Sequence, residues 1–132
     1  MKEETRWPAW LKKRLSPGEE VKRMKEMLSG VDTVCESSLC PNLNECYSRR
    51  FATFLILGSH CTRSCGFCSV EKGVPKEIDL KEPARIAEIV DKIGLKYAVI
   101  TSVTRDDLKD GGASQFAKVV RAIKRSRKDI RI

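Results

Sequence analysis

The sequence predicts an α/β fold, the opening units of a (β/α) barrel, and three observations predict it. Two short apolar runs, Phe51 to Gly58 and Tyr97 to Thr101, lack the alternation of a half-exposed strand and read as strands buried on both faces. Each is followed by a polar loop and an amphipathic helix, the order that gives a parallel sheet with right-handed crossovers. The chain has 132 residues, against roughly 250 for a closed barrel, so it is expected to be the amino-terminal part of a larger protein.

Ahead of the first strand, Trp7, Trp10 and Leu11 recur at helical spacing, and Ser16-Pro17-Gly18-Glu19 reads as a capping box. The helix it opens would bury Val21, Met24, Met27 and Leu28 and stop at Gly30. Residues 31–50, rich in Ser, Asn and Pro and holding three cysteines, read as a loop. After the first strand and a second cysteine-rich loop, Pro83 suits the first turn of a helix carrying Ile86, Ile89, Val90 and Ile93, which Gly94 ends. Beyond the second strand, a polar loop from Ser102 to Gly112 leads to a helix predicted to turn Phe116, Val120 and Ile123 inward. Asp129-Ile130-Arg131-Ile132 reads as the start of a third strand. Two segments result: residues 1–50, an amino-terminal extension, and 51–132, the first part of the barrel.

Composition narrows the function. No apolar run approaches the roughly 18 residues of a membrane span, and MKEETRWPAW lacks the apolar stretch of a secretory signal. A cytoplasmic protein without membrane contact is expected. The net charge is +8, and the segment Lys118 to Arg131, with seven basic residues and one acid, supplies +6 of it. Lys118, Arg121, Arg125 and Lys128 share one helical face, which is either the solvated outside of a barrel helix or a docking face for an acidic partner. No nucleic-acid motif accompanies them, so no nucleic-acid partner is expected.

The six cysteines carry the chemistry, and all lie between Cys35 and Cys68. A disulfide scaffold would spread its staples along the chain and need an oxidising compartment, so metal or redox chemistry is the better reading. Cys61-x3-Cys65-x2-Cys68 directly follows the first strand, at the sheet end where βα folds place active sites. Three thiolates on so short a loop suit one face of an iron–sulfur cubane and leave one iron open for a substrate or cofactor. A zinc knuckle or three unrelated thiols are the plainer alternatives. Cys35-x4-Cys40-x5-Cys46 forms a second triad, suggesting a second cluster. A ferredoxin-type electron carrier or a zinc-binding nucleic-acid module would use cysteines differently, with full ligation or with zinc. His60 reads as a solvated loop side chain, and Arg105, Asp106 and Asp107 as either a solvated turn or part of a cofactor site.

These motifs carry a resemblance. Cys61-x3-Cys65-x2-Cys68 after a first strand, with Phe67 before the last cysteine, resembles the radical S-adenosylmethionine superfamily. Cys35-x4-Cys40-Pro41-Asn42-x2-Glu45-Cys46, Ala52-Thr53-Phe54-Leu55-Ile56-Leu57-Gly58, Cys61-Thr62-Arg63-Ser64-Cys65-Gly66-Phe67-Cys68 and Ser102-Val103-Thr104-Arg105-Asp106-Asp107-Leu108 together resemble the lipoyl synthase family. Asp110-Gly111-Gly112-Ala113 and Arg6-Trp7-Pro8-Ala9-Trp10-Leu11 extend the match to nearly the whole chain. The resemblance implies a radical-SAM-type, TIM-like partial barrel and two [4Fe–4S] clusters. Cys61, Cys65 and Cys68 would hold the one that cleaves S-adenosylmethionine, and Cys35, Cys40 and Cys46 an auxiliary one that gives up its sulfur. Phe67, Ser102, Thr104, Arg105 and Asp106 would contact S-adenosylmethionine. It further implies sulfur insertion at C6 and C8 of a protein-bound octanoyl-lysine. Octanoylated lipoyl carrier domains, the E2 subunits of 2-oxoacid dehydrogenases and the glycine cleavage H protein, would be partners, with ferredoxin or flavodoxin as electron donor. A saturated C–H bond offers no acidity to a base, which agrees with the absence of an acid–base constellation. The family's fourth auxiliary ligand, a Ser near its carboxyl terminus, and its later βα units lie outside these 132 residues, so little activity is expected of the chain alone.

Overall fold

A computed structural model of the chain describes residues 8–12 and 18–132. The expected capping box and Trp7 fall partly or wholly outside them. A single 3-10 turn at Ala9–Leu11 leaves Trp10 exposed. The regular elements are α1 (Gly18–Met27), β1 (Asp32–Thr33), α2 (Val34–Ser37), α3 (Leu43–Ser48), β2 (Thr53–Ile56), α4 (Glu82–Ile93), β3 (Val99–Ser102) and α5 (Ala113–Ser126).

The sheet has three strands in the order β1-β2-β3. β2 and β3 are parallel, with Thr53 opposite Val99 and Ile56 opposite Ser102, as their crossover through α4 requires. β1 corrects the expected purely parallel sheet: it runs antiparallel to β2, pairing Asp32 with Leu55 and Thr33 with Phe54. Residues 31–50 are correspondingly not a plain loop. Thr33 ends β1 and begins α2, its hydroxyl accepting the Glu36 N–H at 3.3 Å while lying 2.9 Å from the buried Tyr47 hydroxyl. Burial pushes the Tyr47 phenol up to about 12, against the pull of that hydrogen bond. At the other end of the chain, Tyr97 and Arg131 form an isolated parallel bridge, with the Ala98 N–H donating to the Arg131 carbonyl at 2.9 Å. The third strand expected at residues 129–132 is reduced to that contact.

Phe54, Leu55 and Ile56 on β2, with Ala52 and Leu57 flanking it, are buried in one core cluster with residues of α1, α4 and α5. α4 buries Ile86, Ile89, Val90 and Ile93, the expected stripe, with Pro83 in its first turn and Gly94 closing it at φ +74, the left-handed conformation glycine adopts without steric cost. α1 buries Val21 and Met24, with Leu28 just beyond it and Met27 partly covered. The inward face of α5 is set differently from expectation. Gln115, Val119 and Ile123 are buried while Phe116 and Val120 are only partly covered, with Gln115 hydrogen-bonded in the interior to Glu82 and the Asp79 carbonyl. Lys118, Arg121, Arg125 and Lys128 are exposed on the other side.

The Asp110 carboxylate accepts the N–H groups of Gly112 at 3.0 Å and Ser114 at 2.9 Å where α5 begins. The Ser114 side chain and these amides hold its carboxyl down at about 2, from an ordinary 3.8. The folded chain thus binds fewer protons than the unfolded one in that range, so the contribution is complete above about pH 4 and vanishes as the pH falls through about 2. In urea unfolding followed from pH 5 to pH 2, Asp110→Asn is expected to flatten the acid limb of the stability profile. Val119→Ala should cost about 2 kcal/mol and Val120→Ala less than half of that, an ordering that the expected Val120-inward face would reverse.

Candidate metal and cofactor site

The site begins where β2 ends. Leu57, the residue after the last paired one, lies at φ +72, a left-handed conformation that a branched side chain adopts at a cost of the order of 1 kcal/mol or more. Its two backbone groups leave the sheet and meet buried charges. The Leu57 N–H donates to both Glu82 carboxylate oxygens, at 3.1 and 3.3 Å, and the Arg105 guanidinium donates to the Leu57 carbonyl at 2.9 Å. Glu82 is 9% exposed and Arg105 3%. Gln115, 1% exposed, donates to Glu82 at 2.8 Å and to the Asp79 carbonyl at 3.1 Å, so α4, α5 and the loop before α4 converge on this one residue. Gly112 completes the seat, since a Cβ there would stand 2.2 Å from a Leu57 methyl carbon.

Arg105 was open to reading as part of a solvated turn. Instead its guanidinium is buried and forms a fork with Asp107 at 2.8 and 2.9 Å, which raises its own pKa and lowers that of Asp107. Apolar walls around a buried cation require such satisfaction, and sequence spacing does not reveal which carbonyl supplies it.

From Leu57 the chain turns into the loop that carries Cys61, Cys65 and Cys68. Its base is closed by main-chain bonds, Cys61 N–H to the Glu71 carbonyl at 2.8 Å and Gly73 N–H to the Cys61 carbonyl at 3.1 Å. Within it, the Cys68 N–H reaches the Cys65 carbonyl at 3.2 Å and Lys72 donates to the Cys68 carbonyl at 2.9 Å. Cys61 and Cys68 are partly buried and Cys65 is exposed. Phe67 does not pack against the strand: it is 93% exposed at the tip. His60 is not freely solvated, with Nδ1 3.1 Å from the Ser59 hydroxyl and Nε2 3.2 Å from Glu71.

The loop after β3 leans on this one. The Thr104 N–H donates to the Cys61 sulfur at 3.2 Å. Burial alone would raise the Cys61 pKa, but the backbone amides of Arg63 and Thr104 and the Thr104 side chain win and hold it below the ordinary thiol value. Ser102, Thr104, Arg105 and Asp106 line one open hollow of about 350 Å³, so four of the five expected cofactor contacts are brought together and Phe67 is not.

The first cysteine group is built on short helices. Cys35 is buried in α2, Cys46 lies in α3, and the Cys40 N–H donates to the Cys35 carbonyl at 3.1 Å across the turn between them. The Cys46 thiol is pushed up by burial first and then by the nearby thiolates of Cys35 and Cys40. A second hollow, of about 430 Å³, is lined by Glu36, Ser37 and Leu39 from this group and by Ser59, Ser69 and Glu71 flanking the other. The two thiol loops are therefore neighbours.

All six cysteines are free, and among the described residues no three His, Cys, Asp or Glu side chains are gathered tightly enough to form a metal site. The donor sets nevertheless fit an iron–sulfur group chemically. In one triad amide donors hold the Cys61 thiol below its ordinary pKa, and in the other Cys46 is pushed up by burial and by Cys35 and Cys40, a repulsion that a bound cation would offset.

Fold and site define an α/β protein with two neighbouring thiol triads, one of them on the loop leaving the carboxyl end of a parallel strand. No family model matches the chain. Among curated proteins it is similar to the lipoyl synthases. It is 56% identical over 120 residues to the lipoyl synthase of Rubrobacter xylanophilus, covering 89% of this chain and 37% of that protein. For that of Halalkalibacterium halodurans the identity is 53% over 126 residues, 93% of this chain and 42% of the relative. For Aquifex aeolicus it is 57% over 113 residues, 86% and 41%. The chain spans about two-fifths of the length of these relatives. No helix among the described residues is long and apolar enough to cross a membrane.

Removing the carboxylate from the Leu57 seat should be costly, because it leaves the buried Leu57 N–H unpaired and takes one of the two acceptors from the Gln115 amide. Glu82→Ala is expected to lower the free energy of unfolding by about 2–3 kcal/mol. Gly112→Ala, which forces the Leu57 side chain aside, should lower the urea midpoint as well, whereas Gly111→Ala, with open space around its Cβ, should show only the smaller effect of its positive φ.

Proposed function

We propose that this chain is the cluster-bearing part of a lipoyl synthase, an enzyme that inserts sulfur at C6 and C8 of a protein-bound octanoyl-lysine, and that its sheet and helices are the first units of a TIM-like radical-SAM barrel. One observation carries the proposal: two thiol triads of different spacing flank a common hollow, in a chain more than half identical to lipoyl synthases over about nine-tenths of its length. Residues 1–50 would then form the auxiliary segment and residues 51–132 the barrel.

In this reading Cys61, Cys65 and Cys68 hold a [4Fe–4S] cluster with one open iron, and Cys35, Cys40 and Cys46 hold a second. Once reduced by its electron donor, the open-iron cluster would supply the electron that cleaves bound S-adenosylmethionine to a radical able to take hydrogen from an unactivated C–H bond, and the second cluster would be the sulfur-donating substrate. The chain's own residues hold these parts in place. Ser102 and Thr104, on the rim of the open hollow, are placed to hydrogen-bond a polar cofactor, and the exposed ring of Phe67 is available to stack on an adenine. Arg105 contributes from beneath by fixing the strand end, since its guanidinium is already engaged with Leu57 and Asp107. The exposed cations of α5 would complement an acidic octanoylated lipoyl domain, from an E2 subunit or the H protein, and ferredoxin or flavodoxin would supply electrons in the cytoplasm.

Two substitutions in the full-length protein separate the triads. Cys65→Ala should abolish 5′-deoxyadenosine formation. Cys40→Ala should leave 5′-deoxyadenosine formation in place while lipoyl product, followed by mass spectrometry of the carrier domain, disappears. Normal lipoyl formation by the Cys40 variant would make the first triad purely structural, and unchanged S-adenosylmethionine cleavage by the Cys65 variant would overturn the assignment of the second.

A further inference from the structure

Asp106 was expected to touch the cofactor, yet its carboxylate is occupied within the protein. Arg63 forms a fork on it, Nε to one oxygen at 3.0 Å and Nη2 to the other at 2.9 Å. The Thr62 hydroxyl lies 2.8 Å from the same carboxylate and 3.0 Å from the Thr104 carbonyl, and it accepts the Asp106 N–H at 3.2 Å. The Thr62 N–H donates to the Thr104 carbonyl at 3.1 Å. The side chain thus bridges residues 43 and 44 positions away in sequence and joins the loop after β3 to the residues beside Cys61.

A half-exposed ion pair of this kind adds little to global stability, so its use is local. In the middle of this mesh stands the Thr104 amide, donating to the Cys61 sulfur at 3.2 Å. Hydrogen bonds to cluster sulfurs are among the main determinants of iron–sulfur reduction potentials, because an N–H directed at sulfur stabilises the more negative, reduced state. Only proline would remove a main-chain amide, and it would disturb the backbone as well, but the direction of the amide depends on what holds the backbone beside it. Here Thr62 grips the Thr104 carbonyl, on the next peptide unit, and Asp106 holds the chain two residues on.

We propose that Asp106 is a positioning residue: through Arg63 and Thr62 it keeps the Thr104 amide on the Cys61 sulfur and so raises the reduction potential of the cluster held by Cys61, Cys65 and Cys68. This rests on the cluster assignment above and extends it to how the cluster is tuned. Loosening the mesh should make the cluster harder to reduce without emptying the site.

The test is a potentiometric titration with dithionite, followed by electron paramagnetic resonance, on the anaerobically reconstituted full-length protein. The signal read is the one that S-adenosylmethionine perturbs, which isolates the open-iron cluster from the other. Asp106→Ala and Arg63→Gln should each move its midpoint to a more negative potential at unchanged iron content, and the double variant should move it no further than the larger single shift. The other cluster's midpoint should stay in place. Should Asp106→Ala lose iron, the measurement passes to Arg63→Gln and Thr62→Val, which leave the Asp106 carboxylate intact. Unmoved midpoints in the cluster-bearing variants overturn the inference. A wild-type protein with no signal sensitive to S-adenosylmethionine would instead overturn the cluster assignment itself, so the two failures are distinguishable.

Discussion

Everything at the working end of this protein depends on how one backbone unit, Leu57, is satisfied after it leaves the sheet. A strand residue normally finds its partners in the ladder, and a buried N–H or carbonyl without one costs about 1–3 kcal/mol. At Leu57 the ladder has ended and the backbone has swung into a left-handed conformation, so neither group can reach a strand. Glu82 and Arg105 supply the partners from opposite sides. One stands at the start of α4 and the other on the loop after β3, so the root of the cysteine loop is held by both crossover units.

That arrangement explains why charged residues lie in the interior beneath a thiol site. Glu82 and Arg105 are not joined by a salt bridge, although the Glu82 charge helps to raise the Arg105 pKa; each is spent on main-chain polarity and on a second partner, Gln115 or Asp107. Long-range convergence of this kind gives the loop a fixed root. Its thiols then differ by depth: Cys61 at the root receives amide donors, and Cys65 near the tip is open to solvent.

Much of this was legible in the sequence, and the limits have physical causes. β2 and α4 are local patterns: a continuous apolar run, Pro83 in the first turn, Gly94 at the end, Ile86 to Ile93 on one stripe. β3 forms where its apolar run predicts it, but Val99–Ser102 is only half-buried and Tyr97 ahead of it is 50% exposed, since an apolar run reads the same whether or not both of its faces are covered. The cysteine spacing likewise shows itself, because a chelating loop needs its ligands close in sequence. β1 was invisible because two residues, Asp32 and Thr33, carry no period, and their pairing with β2 is decided by tertiary packing. α2 and α3 are too short to show a stripe and are held by caps and by the buried Thr33–Tyr47 contact. The face of α5 differs from expectation by one residue, Val119 for Val120, because several apolar residues of that helix suit either phase and Gln115, held in the interior by Glu82 and the Asp79 carbonyl, gives no apolar signal. Glu82 gave no signal, and Arg105 stood out only as a candidate cofactor contact, since a charged side chain in sequence looks the same whether it faces water or a buried carbonyl.

The closed base of the cysteine loop has a bearing on maturation. Cys61 is tied by main-chain bonds to Glu71 and Gly73, and nothing in those bonds involves a thiol. The intervening nine residues, Thr62 to Val70, present Cys65 and Phe67 outward. On the cluster reading proposed above, iron and sulfide would be received on a loop whose root is already set, with the tip left to close around them. A donor protein delivering a preassembled cluster would meet an exposed thiol and an aromatic ring first, and the sheltered sulfur of Cys61 last.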